Sequence, residues 1–347
     1  MIPWFLVLSG FLLGTLSAAG PSIRNSAAST SNAIDCPNCL DDSLPSINRW
    51  TMPLLKLGEK RYYLGIFFKA NYFRATQYCR FHGMHLASIT SQEENDKLEK
   101  YIKDFGFGNE HFWTSGTDLA DEGNFFWMST GRPITFTNWN AGEPNNFEYE
   151  NGEQENCLEL WNRDGKGLKW NDSPCSFETY FVCEVQHSED DSTFTSPVLK
   201  RNRTNYLEFA GKTYYFQTVF KGNFYRALQF CRQSGMQLVS ISSPAENTRL
   251  GRFVEEIGSS NGHFWTSATN NADHNQWIWL STGNNMVYSN WHPGEPNGLT
   301  AERVNKSENC MEARHWGKGF TWNDLNCFAE LHFICESSSD CNRKRRK

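Results

Sequence analysis

The feature that most limits what this chain can fold into is that it repeats itself. Slid along its own length, the 347-residue sequence brings Tyr62-Tyr63 onto Tyr214-Tyr215, Cys79 onto Cys231 and His111-Phe112-Trp113 onto His263-Phe264-Trp265. At the same offset Trp127 meets Trp279, Asn138-Trp139 meets Asn290-Trp291, Cys175 meets Cys327 and Cys183 meets Cys335. Cys157 meets Cys310 one position late, and the register is restored before Trp170. One residue inserted and one deleted within a single loop produces that slip. A period this long is not that of a solenoid, whose units run to roughly 20–50 residues. One domain is used twice.

The rest of the chain divides around the two copies. Residues 1–19 read as a secretory signal peptide, with an apolar run from Trp4 to Leu16 and the small residues Ser17-Ala18-Ala19 before the expected cut. The run is short for a membrane span, and no other stretch is long and apolar enough to cross a bilayer. Residues 20–54 are rich in Ser, Ala and Asn and read as a flexible arm. The copies occupy 55–186 and 207–337, the polar stretch 187–206 links them, and 338–347 is a basic tail. Eleven cysteines behind a signal peptide point to disulfides in an oxidising compartment, and the odd total leaves at least one thiol free or bonded to another molecule. The net charge of -6 argues against a nucleic-acid partner.

Each copy reads as helices followed by short strands. In the first, Arg61 to Leu64 is strand-like. Asn71 to Phe81 has helical spacing, with Asn71 as N-cap and Phe73, Tyr78 and Cys79 facing inward. Met84 to Ile89 reads as a short strand. Ser91 to Glu94 fits a capping box that opens a second helix carrying Leu98, Tyr101 and Ile102. The aromatic stretches His111 to Thr114, Phe125 to Trp127 and Phe136 to Trp139 follow as short strands.

The chemistry sits in what comes next. Glu143-Pro144-Asn145, Glu155-Asn156-Cys157 and Trp170-Asn171-Asp172 recur in order as Glu295-Pro296-Asn297, Glu308-Asn309-Cys310 and Trp322-Asn323-Asp324. The polar side chains of these triplets offer carboxylate or amide oxygens. Hard oxygen donors, some neutral, suit Ca2+ and not zinc or copper. The first loop also carries Glu148, Glu150 and Glu153 with no base among them, so it should depend on a cation more than its partner does. The two Glu-Pro bonds are candidates for the cis form.

Taken together, the ordered cysteines and the two triplets resemble the C-type lectin family in each copy, over roughly 56–186 and 208–337. The resemblance implies an α+β fold in each domain, with two helices, small antiparallel sheets and a long calcium-binding loop region. It implies the disulfides Cys79–Cys183, Cys157–Cys175, Cys231–Cys335 and Cys310–Cys327, leaving Cys36, Cys39 and Cys341 for a local bond or a disulfide-linked oligomer. It implies one Ca2+ held by Glu143, Asn145, Glu155, Asn171 and Asp172, and another by Glu295, Asn297, Glu308, Asn323 and Asp324. Sugar hydroxyls would be read by Glu143, Asn145, Glu155 and Asn171, and by Glu295, Asn297, Glu308 and Asn323. In that family Glu-Pro-Asn goes with mannose-like sugars bearing equatorial 3- and 4-hydroxyls, so mannose, glucose, N-acetylglucosamine or fucose is expected. The chain departs from the family's usual central Trp-Ile-Gly-Leu pattern at Phe112 to Gly116 and Phe264 to Ala268.

Several smaller features complete the reading. A further cation site is suggested only in the first copy, by Asp118 and Glu122 with Asn146 and Asn156; the second copy has Asn270 and His274 there. Asn202 and Asn305 stand in glycosylation sequons, and Asn171 in one that its ligand role makes accidental. His111 and His263 read as packing residues. No phosphate-binding loop, G-x-S-x-G or H-E-x-x-H occurs, so an enzyme is not expected. The expectation is a secreted, calcium-dependent binder of microbial or host glycans with two sites, suited to pathogen recognition or agglutination. Its rival is a matrix or adhesion protein that organises glycans or proteins, which the basic tail and spare cysteines fit equally well.

Overall fold

The computed structural model describes residues 54–58, 60–185, 203–298, 307–316 and 319–338. The chain divides into Met1–Asp35 and Cys36–Lys347, and every described residue lies in the second part. The signal peptide, the arm up to residue 53, Cys36, Cys39, Cys341, the basic tail beyond residue 338, most of the linker, Asn202 and Asn305 lie outside the described residues.

In the first repeat, β1 (Leu55–Leu57) and β2 (Lys60–Ala70) form a hairpin that leads into α1 (Tyr72–Phe81). After β3 (His85–Leu86) comes α2 (Gln92–Asp104), then β4 (Phe112–Thr117) and β5 (Phe126–Trp127). The loop region ends in β6 (Cys157–Trp161), β7 (Lys169–Ser173) and β8 (Thr179–Val185). The strands are ordered β1-β2-β8-β4-β6-β7, with β3 on β8 and β5 on β4. All pairings are antiparallel except β4 with β8, which is parallel at Phe112–Tyr180 and Trp113–Phe181 and joins the two antiparallel parts. The second repeat follows the same plan through β9 (Tyr206–Phe209), β10 (Lys212–Gly222), α3 (Phe224–Gln233), β11 (Gln237–Leu238), α4 (Pro244–Glu256), β12 (His263–Thr269), β13 (Ile278–Trp279), β14 (Cys310–His315), β15 (Phe320–Leu325) and β16 (Leu331–Ser338).

Local chemistry accounts for the helix starts. Asn71 caps α1 by accepting from Arg74 N at 2.8 Å, and Ser91 caps α2 by accepting from Glu94 N at 3.2 Å. The Glu94 carboxylate turns back past the cap to Thr90 N at 2.7 Å and also holds Lys60 Nζ at 2.8 Å. The same arrangement recurs at Ser243, Glu246 and Lys212. Burial works against the charge on Lys212, but Glu336 and Glu246 outweigh it and hold the lysine pKa above its ordinary value. Two expected strands come out shorter. Only His85–Leu86 of the 84–89 stretch is a strand, and Phe136 to Trp139 forms no ladder beyond a bridge from Trp139 to Trp170. Their rings explain this, because Phe136 and Trp139 pack edge-on against Trp170 at 5.4 and 5.7 Å.

The disulfides Cys79–Cys183, Cys157–Cys175, Cys231–Cys335 and Cys310–Cys327 are present, the pairings the resemblance implies. They tie α1 to β8, and the end of the long loop to the segment after β7.

The repeats meet through α1 and α3. Phe73 stacks on Tyr225 at 6.1 Å, and the two belong to one buried apolar cluster that crosses the boundary. Each capping asparagine serves two masters. Its oxygen caps its own helix, while Asn71 Nδ2 donates to Asn271 O and Asn223 Nδ2 to Leu119 O, both at 3.1 Å. Gln233 Nε2 donates to Gly131 O at 2.7 Å, and Gln77 Nε2 to Asn285 Oδ1 at 3.3 Å. Corresponding elements thus contact each other's repeat reciprocally, the pattern of a two-fold interface built within one chain.

Candidate functional site

The site grows from the β6–β7 hairpin. Register pairs Glu159 with Asn171 and Leu158 with Asp172. Trp170 is fully buried, its ring held by Trp127, Phe136 and Trp139 and its Nε1 bonded to Asn95 Oδ1 at 3.0 Å. That anchor fixes the strand on which Asn171 and Asp172 stand. The long loop is stitched to the same strand, since Trp170 N donates to Asn138 O at 2.9 Å and Asn140 N to Trp170 O at 2.8 Å.

Asp172 is buried and accepts from Asn145 N at 3.1 Å and Asn146 N at 2.8 Å. In the second repeat Asp324 accepts from Asn297 N at 3.1 Å and Gly298 N at 2.8 Å. Each aspartate therefore pins the turn that carries its Glu-Pro-Asn triplet. The Glu143–Pro144 and Glu295–Pro296 bonds are both cis. Glu143 accepts from Asn145 Nδ2 at 2.5 Å and pairs with Arg163 Nη1 at 2.8 Å. Glu155 accepts from Tyr149 OH at 3.0 Å and from Phe147 N at 3.3 Å. Glu143, Asn145, Glu155 and Asn171 line one open cavity of about 310 Å³, with Asp172 bonded to its rim.

The carboxylates crowd one another. Burial and then the Asp172 charge raise the Glu143 pKa. Burial raises that of Glu155, the Tyr149 hydrogen bond opposes the rise, and Asp172 adds to it. Glu295 is raised by burial and Asp324. Glu308 is pushed up to about 7 by burial, then by Asp324, Glu295 and Glu312. The Glu295 Oε2 atom is buried without a hydrogen-bond partner. Like charges gathered on hard oxygens, with a bare carboxylate oxygen among them, fit a divalent cation of the Ca2+ kind. Among the described residues no three His, Cys, Asp or Glu side chains form a metal cluster by themselves.

Sequence reasoning missed the residue that orients those asparagines. Glu159 is buried; its Oε1 accepts from Asn171 Nδ2 at 3.1 Å and its Oε2 pairs with His111 Nδ1 at 3.0 Å. Glu312 does the same for Asn323 at 3.1 Å and His263 at 2.7 Å. With the amide nitrogen occupied, Asn171 Oδ1 is left for the site. The two histidines thus brace this carboxylate rather than only pack. The signal was present in both copies, as a glutamate two positions after Cys157 and after Cys310.

In the first repeat Asp118, Glu122 and Asn156 also converge. With its nitrogen toward the acids, the Asn156 amide donates to Asp118 at 3.1 Å and to Glu122 at 3.2 Å. Burial, opposed by the Gly123 amide and reinforced by Glu122, pushes the Asp118 carboxyl up to about 7.

The Lectin C-type domain family matches residues 68–185 and again 221–337, more than half of the chain. The chain belongs to the C-type lectin family. It is 38% identical over 120 residues to "C-type lectin mosGCTL-7" of Culex quinquefasciatus, covering 34% of this chain and 69% of that one. It is 33% identical over 144 residues to "C-type lectin 37Db" of Drosophila melanogaster, covering 42% and 87%. Among solved structures it is similar to the human scavenger receptor C-type lectin carbohydrate-recognition domain, at 28% identity and a TM-score of 0.34 over 39% of this chain and 96% of that one. This tandem C-type lectin is a binding protein and not an enzyme. Among its described residues no helix is long and apolar enough to cross a membrane.

Proposed function

We propose that the chain binds carbohydrate in a calcium-dependent manner through two sites, one per repeat, and acts outside the cell. In the first repeat Glu143, Asn145, Glu155, Asn171 and Asp172 would hold the ion; in the second, Glu295, Asn297, Glu308, Asn323 and Asp324. The observation that carries this reading is the doubled clustering of carboxylates, each pinned by its Asp172 or Asp324 turn, where burial and then the neighbouring charges raise the pKa values. A bound Ca2+ supplies open coordination positions for two neighbouring hydroxyls. The protein's part is directional. Glu143 and Glu155 would accept hydrogen bonds from the hydroxyls, the Asn145 amide would donate to one, and Asn171, its nitrogen held by Glu159, would offer its oxygen. Glu295, Asn297, Glu308 and Asn323 do the same in the second repeat.

Both copies carry Glu-Pro-Asn, which supports sugars of the mannose type, including glucose, N-acetylglucosamine and fucose. Four disulfides support life in an oxidising, extracellular compartment. Two sites on one chain gain on a polyvalent glycan surface by effective concentration, which suits recognition and agglutination of microbes. A glycan array probed with the purified chain in calcium tests the specificity. Binding confined to galactose-type glycans contradicts it.

A further inference from the structure

The first repeat carries more around its calcium-type site than the capture of one sugar requires. Along β6, Glu159 and Trp161 share a face; Trp161 lies roughly 13 Å from Cys157, four residues at about 3.3 Å each. His111 stacks on Trp161 at 4.9 Å, and the Arg163 guanidinium lies 5.7 Å from the same ring, a cation–π arrangement. At the other end of the hairpin, β6 Cys157 faces β7 Ser173, and the chain runs on to Phe177. Phe177 packs edge-on against Tyr149 at 5.5 Å, and Tyr149 against Phe147 at 5.0 Å. Both aromatic groups and the acid and amide side chains between them line the same 310 Å³ cavity. Phe147 and Phe177 are 56% and 45% exposed, too open for either ring to be a core residue.

Flat aromatic faces interrupted by a few placed polar groups are the make-up of a small-molecule site. Sugar rings fit that make-up, since their C–H faces lie on aromatic rings while their edges hydrogen-bond. In sequence the second repeat has no aromatic residue at 299–306, the stretch that answers to Phe147 and Tyr149. Ala329 stands where Phe177 does, and the neighbouring Phe328 packs instead on Tyr225 at 5.6 Å. Its Trp316 is 37% exposed, with His292 stacked at 3.9 Å and Arg314 at 3.6 Å, much as His111 and Arg163 flank Trp161, so the repeats differ at the far platform and not at the near one.

We infer that the first repeat takes an extended oligosaccharide along the β6–β7 face, with Trp161 and the Phe147–Tyr149–Phe177 group as platforms flanking the diol position, whereas the second takes terminal sugars. This rests on the calcium-dependent reading above. The test uses the full chain with one site silenced, Asp324→Asn to report the first repeat and Asp172→Asn to report the second. Calorimetry with methyl α-mannoside and with mannopentaose, in calcium, gives each site's ratio of affinities. The expected ratio is about tenfold larger for the first repeat than for the second. Trp161→Ala and Phe177→Ala, each in the Asp324→Asn background, should each weaken pentaose binding about fivefold or more and leave methyl mannoside within about twofold. Calcium titration of the same variants shows that the site itself is intact. Equal ratios for the two repeats, or variants that weaken both sugars alike, overturn the inference. Failure of both sugars to bind any of these chains overturns the mannose-type reading above, and this one with it.

Discussion

Replacing Glu159 with alanine removes a side chain that borders the cavity but is only 4% exposed. What it does hold is Asn171 Nδ2 at 3.1 Å and His111 Nδ1 at 3.0 Å. Without it Asn171 keeps one bond from that nitrogen, to the Asp172 carbonyl at 2.6 Å, and its amide is free to turn. Partners of this kind are worth about 10–100-fold in metal affinity, or about 1.4–2.8 kcal/mol. The loss of fold stability should stay near the lower end of about 1–3 kcal/mol, because the amide is not wholly orphaned. Calcium titration of Asp324→Asn chains with and without Glu159→Ala, followed by tryptophan fluorescence, measures the first site alone. The expected result is a 10–100-fold weaker midpoint, with Glu159→Gln weakening it less because its amide oxygen still accepts from Asn171. Calcium affinity within about twofold of the parent refutes the argument that this buried carboxylate orients the ligand.

Four other outcomes follow from the same structure. Gly131, at φ +76°, would put a Cβ 2.6 Å from Gln229 O, and Gly283 stands against α1 in the same way, 2.7 Å from Gln77 O. Gly131→Val and Gly283→Val together should part the repeats, so that denaturant unfolding shows two transitions in place of one; a single unchanged transition argues against a shared core. Calcium must displace the proton that Glu308 carries below about pH 7, so calcium binding at the second site should weaken up to about tenfold per pH unit below that point. In the metal-free protein the sign reverses. A carboxyl whose pKa is raised by folding costs stability as pH climbs from the ordinary 4.5 through 7, and thermal melts in chelator should show that fall. Limited proteolysis in chelator should cut the acidic loop Glu143 to Glu155 before the loop of the second repeat; equal sensitivity of the two contradicts the charge argument.

Much of this was legible in the sequence because it is local or because it is doubled. Asn71 and Ser91 cap helices through their own next turn, which a short motif reveals. The triplets around Glu143 and Asp172 identify themselves by recurring at Glu295 and Asp324. What stayed hidden depends on pairing across distance. Glu159 acquires its meaning only when β6 lies beside β7 and sets it opposite Asn171. His111 looks like any packing histidine until that carboxylate is in place. Asn71 reads as a helix cap, and nothing nearby in sequence reveals that its free nitrogen reaches Asn271 in the other repeat. Phe136 and Trp139 suggest a strand by composition, yet Trp170 claims their rings for the core.

The central claim is that an ion held by acid and amide oxygens makes this chain a lectin. Retention of the full chain on immobilised mannan, in millimolar calcium and then in chelator, addresses it most directly. The account predicts retention in calcium, release by chelator, and loss of retention when Asp172→Asn and Asp324→Asn are combined. Retention that survives chelator, or that the double variant leaves unchanged, contradicts it.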